Sequence, residues 1–210
     1  MEKKFILTDK FVINSFGIKL FQIKCTKSFK YAQKGDFGGY VEKEGNLDQE
    51  NDAWVFGNAR VFGNARVSSN ARVSGDAWVS DNARVSGDAW VSGDALVSGY
   101  AWVSGDARVF GNARVSGDAW VSGNAWVSGD ADIENDNEHC GFDGFGSCNR
   151  HTHAYMTKEK KVEIICGCFR GSIEEFEKKV EETHSGTVYE KQYKSIINVI
   201  KIKFGLTDFT

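Results

Sequence analysis

Six side chains in the last third of the chain are of the types that bind zinc. They are Cys140, Cys148, His151, His153, Cys166 and Cys168. Structural zinc sites usually take cysteines in pairs separated by two residues. Here the spacings are C-x7-C, H-x-H and C-x-C, although alternate residues of a strand share one face. Two interpretations stay open, a zinc site or side chains without a ligand; we favour the second and expect no metal and no cofactor.

The placement of histidine bears on whether the chain is an enzyme, because histidine is the commonest general base. A general base must lie within hydrogen-bond reach of the proton that it removes. All four histidines follow residue 134: His139, His151, His153 and His184. The long segment before them therefore offers no candidate base, and the sequence predicts no catalytic residue.

That long segment is built from a repeat of six residues. Valine recurs at every sixth position from Val55 to Val127, Ile133 closes the series, and an alanine lies two residues before each. The unit reads Gly-Asp/Asn-Ala-Arg/Trp-Val-Ser. Six is not a helical period, and valine favours strands, so the valine should point inward from a short strand. The Gly-Asp/Asn pair should turn a corner, and three edges then close a coil of about 18 residues.

Val55 followed by Ala59, and each later pair, has the aliphatic-to-small spacing of hexapeptide repeats. The pattern resembles the left-handed parallel β-helix of hexapeptide-repeat proteins, so we expect a mainly β protein with about five coils. A right-handed coil of the bactofilin type is the rival, although its period is usually looser. The register continues upstream through Gly39-Tyr40-Val41. The sequence therefore assigns residues 39–134 to the β-helix.

Hexapeptide-repeat proteins are best known as acyltransferases. In those enzymes a histidine projects from the coils, and a long loop shapes the substrate site. Here the histidines lie outside the repeat, and its period from Val55 to Ile133 is unbroken. The resemblance therefore implies the fold and not the activity.

Outward residues that are 18 apart should lie above one another, and they sort into three columns. The columns are Trp54, Arg72, Trp90, Arg108, Trp126; Arg60, Trp78, Leu96, Arg114, Asp132; and Arg66, Arg84, Trp102, Trp120. Guanidinium groups on indoles could merely strap the coils together, whereas exposed Trp and Arg are typical anchors of interfaces. Because all six tryptophans are expected outside, we predict binding faces and a homo-oligomer. The predicted binding residues are Trp54, Arg72, Trp90, Arg108, Trp126, Trp78, Trp102 and Trp120.

The two ends of a β-helix are open sheet edges, so caps are expected. Residues 3–13 and 18–26 read as a β-hairpin inside an N-terminal cap at 1–38. Residues 135–146 are polar and rich in glycine, which predicts a linker.

Residues 147–210 predict a small C-terminal ββαα module. Its strands are expected at 150–156 and 162–166, and Ser172 with Glu175 forms a capping-box signature at the start of a helix. A second helix is expected around the apolar residues Tyr193, Ile196, Ile197 and Ile200.

Composition narrows the classes of partner. The net charge is −3, and residues 51–134 carry 6 Arg and 10 acidic residues, so charge does not favour direct nucleic-acid binding. No run approaches the roughly 20 apolar residues of a membrane span, and the N-terminus has no signal-peptide core. With an odd number of cysteines, five, we expect a cytoplasmic protein without disulfides.

Two further segments flank the repeat and support a closer resemblance. Residues 35–43 read GDFGGYVEK, and residues 166–177 read CGCFRGSIEEFE. Together with the repeat they look like a family of uncharacterised hexapeptide-repeat proteins of phages and prophages. That resemblance implies a genomic context more than a chemistry, and small phage accessory proteins often bind a host component. With the histidine placement and the Trp/Arg faces, it leads to the hypothesis of a non-enzymatic protein in the bacterial host that binds a host protein, for example to inhibit a defence system, or sequesters a small signalling ligand. A structural element of a phage particle or filament is the alternative, and an acyltransferase-like enzyme is less favoured.

Overall fold

The computed structural model describes residues 2–206, which form a parallel β-helix with additional structure at both ends. Each hexapeptide supplies one strand of two residues. The strands are β4 Trp54–Val55, β5 Arg60–Val61, β6 Arg66–Val67, β7 Arg72–Val73, β8 Trp78–Val79, β9 Arg84–Val85, β10 Trp90–Val91, β11 Leu96–Val97, β12 Trp102–Val103, β13 Arg108–Val109, β14 Arg114–Val115, β15 Trp120–Val121, β16 Trp126–Val127 and β17 Asp132–Ile133. The predicted parallel β-helix is confirmed, and its left-handed sense stays a prediction.

Strands 18 residues apart pair in parallel, so each coil has three sides. Face 1 contains β4, β7, β10, β13 and β16; face 2 contains β5, β8, β11, β14 and β17; face 3 contains β6, β9, β12 and β15. On face 1, Trp90 is paired with Arg72 on one side and with Arg108 on the other. The three predicted columns are therefore the outward residues of the three faces.

The valines and alanines of the repeat form the core of the β-helix. Val91 is buried between Val73 and Val109 of the neighbouring coils, and the alanines at the corners, such as Ala89, are also buried. Burying one valine side chain stabilises the fold by about 1.5–3 kcal/mol. Repetition of this contribution along the rod offsets the small size of each strand.

Backbone contact between successive corners explains why glycine recurs there. Gly75 has a φ of 69°, and a Cβ added to it would lie 2.8 Å from the backbone nitrogen and oxygen of Gly93. Ser69 and Asp81 take the same left-handed conformation, each with a φ of 58°. Asp81 Oδ2 accepts a hydrogen bond from the backbone N–H of Gly99 at 3.1 Å, so this carboxylate also bonds to the next coil.

The N-terminal cap extends face 2 rather than only covering it. Strands β1 Phe5–Ile13 and β2 Lys19–Cys25 form the predicted antiparallel hairpin. Strand β3 Phe37–Val41 pairs antiparallel with β2 and parallel with β5. Face 2 is thereby part of a sheet of eight strands, and the parallel pairing of the coils begins at β3.

Two side chains just before and in β1 cover the first open coil. The Lys4 ammonium donates to the carbonyl oxygen of Ala53 at 2.9 Å and also to that of Asn51. Phe5 is buried and joins the core of the β-helix. Burial lowers the pKa of Lys4 to about 8, because the charged amine loses hydration there.

The linker predicted at 135–146 is wrong for most of its length. A short 3-10 helix spans Asp136–Glu138, and strand β18 spans His139–Phe145. The polar, glycine-rich composition suggested a linker, but alternation decides the structure: His139 and Gly141 lie on one side of the strand, and Cys140 packs against the module core on the other.

The C-terminal module is one sheet with two helices packed on it. Strands β19 Arg150–Met156, β20 Val162–Cys166 and β21 Phe169–Gly171 follow β18 in the order β18-β19-β20-β21. Each neighbouring pair is antiparallel. The module therefore has four strands and not the two predicted.

Helices α1 Ile173–His184 and α2 Val188–Lys203 lie where the sequence predicts them. Ser172 and Glu175 form the expected capping box, and α1 buries Ile173, Phe176 and Val180. The apolar residues predicted for the second helix are buried as well. Neither helix described within residues 2–206 is long and apolar enough to cross a bilayer. The predicted cap and module also included residue 1 and residues 207–210, which lie outside the described residues.

Candidate binding surfaces

Trp54, the first tryptophan of face 1, is not exposed. Its side chain is 1% exposed, because the rings of Phe5 and Phe29 contact it edge-on, with centroids 6.3 and 5.3 Å away. The prediction that all six tryptophans point to solvent is therefore wrong for Trp54. The hexapeptide pattern could not show this, since the covering rings come from the N-terminal cap.

The other outward side chains of face 1 pack against those of the neighbouring coils, and Trp126, near the end of the rod, remains 37% exposed. The guanidinium of Arg72 lies 4.8 Å from the ring centroid of Trp90, and that of Arg108 lies 5.1 Å from the ring centroid of Trp126. Tyr31 of the cap lies over the other side of Arg72, at 5.4 Å. The indole N–H of Trp90 donates to Ser74 Oγ at 3.0 Å. These side chains strap neighbouring coils together, with each exposed cation–π pair contributing about 0.5–1 kcal/mol.

Face 2 is partly covered by the cap. Arg60 stacks on Trp78 at 5.2 Å, and Phe16, in the turn between β1 and β2, contacts both Trp78 and Phe62 with centroids 6.3 Å apart in each case. Trp78 is consequently half-buried. The sequence indicated this turn, but not that its phenylalanine lies across the rod.

Face 3 carries the most exposed tryptophans. The rings of Trp102 and Trp120 are stacked, with centroids 5.2 Å apart and planes inclined by 8°, yet the residues remain 39% and 51% exposed. Their indole N–H groups donate to Ser86 Oγ and Ser104 Oγ at 3.1 and 3.3 Å. Each indole is therefore fixed in orientation while its edge and one ring surface stay open to a partner.

Tyr100 extends this aromatic surface and was missed by the sequence analysis. It is 73% exposed and stands at a corner that in most repeats holds Asp or Asn. Departure from the repeat at an outward position was the available signal. We call Tyr100, Trp102 and Trp120 the aromatic patch.

The N-terminal half of face 3 is basic. Arg66 and Arg84 are paired in register and exposed, and no ion pair or cation–π contact engages either one in the part of the chain that the structure describes. Together with Lys43, Asn64 and Asn82 they line a groove of about 420 Å³. Lys43 Nζ donates to Asn64 Oδ1 at 3.2 Å, and the two exposed guanidinium groups add further hydrogen-bond donors to the groove.

Strand β19 closes the last coil of the rod. Nδ1 of His153 lies 2.9 Å from the carbonyl oxygen of Trp126, the Tyr155 hydroxyl donates to that of Ser128 at 3.3 Å, and the Lys158 backbone N–H donates to that of Asp130 at 2.9 Å. Three carbonyl groups at the open edge are thereby satisfied. Such contacts protect the edge from pairing with another chain.

A chain of two histidines supports this closure. Burial lowers the pKa of His153 to about 3, so the ring is neutral, with its proton on Nδ1 facing Trp126. Its Nε2 then accepts from His139 Nδ1 at 3.1 Å. Burial also lowers the pKa of His139, and Asp136, whose Oδ1 lies 3.6 Å from His139 Nε2, opposes that shift.

Of the six candidate zinc ligands, His151 and His153 are neighbours, with ring centroids 5.7 Å apart, but the cysteines do not complete a site with them. Cys148 and Cys168 are exposed, whereas Cys166 is buried and accepts from Thr152 Oγ1 at 3.2 Å. Cys140 faces the helices, and burial raises the pKa of its thiol to about 11, which disfavours a thiolate. Within residues 2–206 no three His, Cys, Asp or Glu side chains are placed to hold a metal ion.

A cleft of about 400 Å³ lies between the last coil and the module. Trp126, Asn124, Arg150 and His151 are among its lining residues. His151 Nδ1 lies 2.8 Å from Asp143 Oδ1, an arrangement that orients a histidine base. Its other nitrogen, Nε2, is buried and without a partner. A Cβ added at Gly141 would lie 3.0 Å from that atom, so Nε2 faces the β18 backbone instead of the cleft.

These features define a β-solenoid whose face 3 carries the two most exposed tryptophans and two exposed arginines, and whose last coil is closed by an α+β module. In agreement, the chain matches the repeat family described as YdcK Beta solenoid repeat, at residues 53–69, 65–80, 77–93, 89–105 and 107–123. The matches cover about a third of the chain and lie inside the β-helix. No curated protein matches the chain. The similarity therefore supports a repeat β-helix fold and carries no information about activity.

Proposed function

We propose that this chain is a non-enzymatic binding protein whose β-helix contacts another protein through face 3. The observation that carries the proposal is the stacked pair Trp102 and Trp120, held by hydrogen bonds and still about half exposed. Tryptophan and arginine are the residues most often found at the energetic centre of protein interfaces. A rigid sheet that holds them in place lowers the entropy cost of binding.

The placement of the histidines supports a binding role over an acyltransferase-like activity. The repeat contains no histidine, and His151, which a carboxylate orients beside the cleft, has its second nitrogen buried against the backbone of Gly141. A base in that position does not reach a substrate in the cleft without movement of β18.

The resemblance to phage and prophage proteins is the basis for proposing a partner in a bacterial host. In this proposal the α+β module presents the partner-specific end to a cytoplasmic host component, such as a defence complex, while the rod associates through its face. Sequestration of a small signalling ligand would use the cleft beside Trp126 and Arg150, which offer an aromatic ring and a cation.

The alternative, a structural element that stacks end to end in a particle or filament, is less well supported. Stacking of rods needs an open coil at each end. Lys4 and Phe5 cover the first coil, and β19 covers the last.

Capture of partners in the bacterial host tests the proposal. The tagged chain would be expressed together with a second, differently tagged copy, and the captured proteins would be identified by mass spectrometry. We expect W102S/W120S to lose the proteins that the wild type captures. Arg114→Ser is the control and should retain them, because Arg114 is an exposed outward residue of face 2. Identical capture by all three proteins would overturn the assignment of face 3 as the binding surface.

A further inference from the structure

The order of side chains on face 3 differs from that on the other faces. Arg66, Arg84, Trp102 and Trp120 follow one another in register, so two cations precede two indoles at intervals of about 4.8 Å. On face 1 the two types alternate, and Arg72 and Arg108 each stack on the tryptophan of the next coil. On face 3 the cationic half and the aromatic half each remain without the complementary type.

We infer that face 3 binds face 3 of a second copy of this chain, with the two rods antiparallel. This inference rests on the proposed function, because it names the partner of the same surface. A two-fold axis that lies between Arg84 and Trp102, parallel to the face and perpendicular to the rod, places Arg84 opposite Trp102 of the second copy. The same axis places Arg66 opposite Trp120, and each pair occurs twice.

Complementarity selects the antiparallel arrangement. If the rods were parallel, Arg66 would face Arg66 and Arg84 would face Arg84, and like charges would repel in the contact. In the antiparallel arrangement every guanidinium meets an indole, and the attraction grows as the pair loses water. An isologous contact of this kind closes on itself as a dimer.

The shape of face 3 suits the same partner. The groove of about 420 Å³ lined by Lys43, Arg66 and Arg84 lies at the end of the face where the indoles of the second copy would enter. Tyr100, at the corner beside Trp102, would come opposite Asn82 at the same corner of the second copy.

The size of the face sets the expected affinity. Four coils at about 4.8 Å each make a contact roughly 19 Å long, and each coil adds a strand of only two residues to this face. Such a patch is smaller than the roughly 800 Å² that each partner buries in a standard interface. We therefore expect a dimer with a dissociation constant in the micromolar range rather than an obligate one.

Sedimentation equilibrium of the full chain over micromolar concentrations tests the dimer. We expect a monomer–dimer equilibrium for the wild type, and Arg84→Glu should raise its dissociation constant about tenfold or more. Arg114→Glu on face 2 is the matched control and should leave the constant unchanged. A wild type that stays monomeric, forms a trimer, or dimerises equally well with Arg84→Glu would overturn the inference.

Substitutions at position 120 test the antiparallel register. Trp120→Arg should abolish the dimer, because it places a second cation opposite Arg66. Trp120→Glu should retain a dimer at low salt and lose it at high salt, because the new carboxylate meets Arg66. In a parallel dimer position 120 would face itself, so loss of the dimer with Trp120→Glu at low salt would contradict the register.

The outcomes for the inference and for the proposed function are separate. If the wild type is monomeric but W102S/W120S still abolishes capture of a host protein, face 3 binds a foreign partner and only the dimer is wrong. If Arg84→Glu dissociates the dimer while capture of host proteins is unchanged, the dimer stands and host binding belongs to another surface.

Discussion

Faces 1 and 3 contain the same two residue types, tryptophan and arginine, in a different order along the column. On face 1 they alternate, so each arginine of the column finds an indole one coil away, and the cap covers Trp54. On face 3 they are segregated, so the indoles stack on each other and the arginines Arg66 and Arg84 stay solvated. Order along the column, more than composition, separates a face that straps its own coils from one that can bind.

The last strands of the two faces also differ in how deeply they are covered. The last strand of face 1 is closed by the buried ring of His153, whereas the last strand of face 3 is closed by Asp136, whose Oδ1 accepts from the backbone N–H of Trp120 at 2.7 Å. That aspartate is largely exposed. Face 1 is thus integrated with the cap and the module, and face 3 stays accessible along its length.

The largest expected effect comes from removing a buried indole of face 1. Trp54→Ala should lower the free energy of unfolding by about 3–5 kcal/mol, because a large buried side chain leaves a cavity under Phe5 and Phe29. Trp120→Ala should cost less than about 1 kcal/mol, since its side chain is about half exposed. Urea unfolding midpoints measure both values, and Trp54→Phe, which keeps a ring in place, is the milder control. Equal costs at the two positions would remove the distinction between the faces.

Acid should weaken the end of face 1 next. The pKa of His153 is lowered to about 3 in the folded chain by burial, whereas an unfolded histidine titrates near about 6.5. Below about pH 6.5 the unfolded chain binds a proton at this histidine, whereas the folded chain does not. The free energy of unfolding is therefore highest above about pH 6.5 and falls as the pH drops toward 3. The loss between pH 6.5 and 4 should be about 3 kcal/mol.

A variant without the titrating ring isolates this contribution. His153→Gln can still donate to the carbonyl of Trp126 and accept from His139, so its unfolding free energy should depend less on pH over that range. Urea unfolding at several pH values compares the two proteins. If the slopes are the same, protonation of another group controls the acid sensitivity, and His139 is the nearest candidate because burial lowers its pKa as well.

The coupling energy between an arginine and a neighbouring tryptophan should also differ between the two faces, by a smaller amount. A double-mutant cycle on Arg72 and Trp90 should give a coupling of about 0.5–1 kcal/mol, because the guanidinium lies 4.8 Å from the ring centroid. The same cycle on Arg84 and Trp102, which are neighbours in register, should give a value near zero in the monomer. Dilute protein is needed, so that association does not add to the measured stability. A coupling on face 3 as large as that on face 1 would show that its arginines are already engaged.

The repeat could be predicted because its information is local. Each valine, alanine and corner glycine recurs with the same spacing, so the three columns follow from the period of six. The capping box at Ser172 and the hairpin at 150–166 were predictable for the same reason. Even the segregated order on face 3 is visible in the column Arg66, Arg84, Trp102, Trp120, although its consequence required knowing which arginines have partners.

The features that could not be predicted from the sequence depend on contacts between distant segments of the chain. Trp54 looks like every other outward tryptophan, and only docking of Phe5 and Phe29 buries it. The polar, glycine-rich composition of residues 135–146 predicts a linker where most of the segment is strand β18. The structure explains the glycine at position 141. A side chain there would collide with the ring of His151, so glycine allows β18 to pack over the histidines.

The smallest expected effect concerns the corner beside face 3. Asp88 and Asp106 lie one coil apart at this corner, and the proposed two-fold axis brings Asp88 opposite Asp106 of the second copy. Asn70 and Asn124 hold the equivalent corners in other coils, so D88N/D106N should fold normally. Removing the like charges should tighten the dimer a few-fold, equivalent to about 0.5–1 kcal/mol, and the gain should shrink at high salt. Asp94→Asn, at a corner away from face 3, is the control. An unchanged dissociation constant would mean that this corner lies outside the contact, and the dimer would then have to be shifted toward the opposite edge of the face.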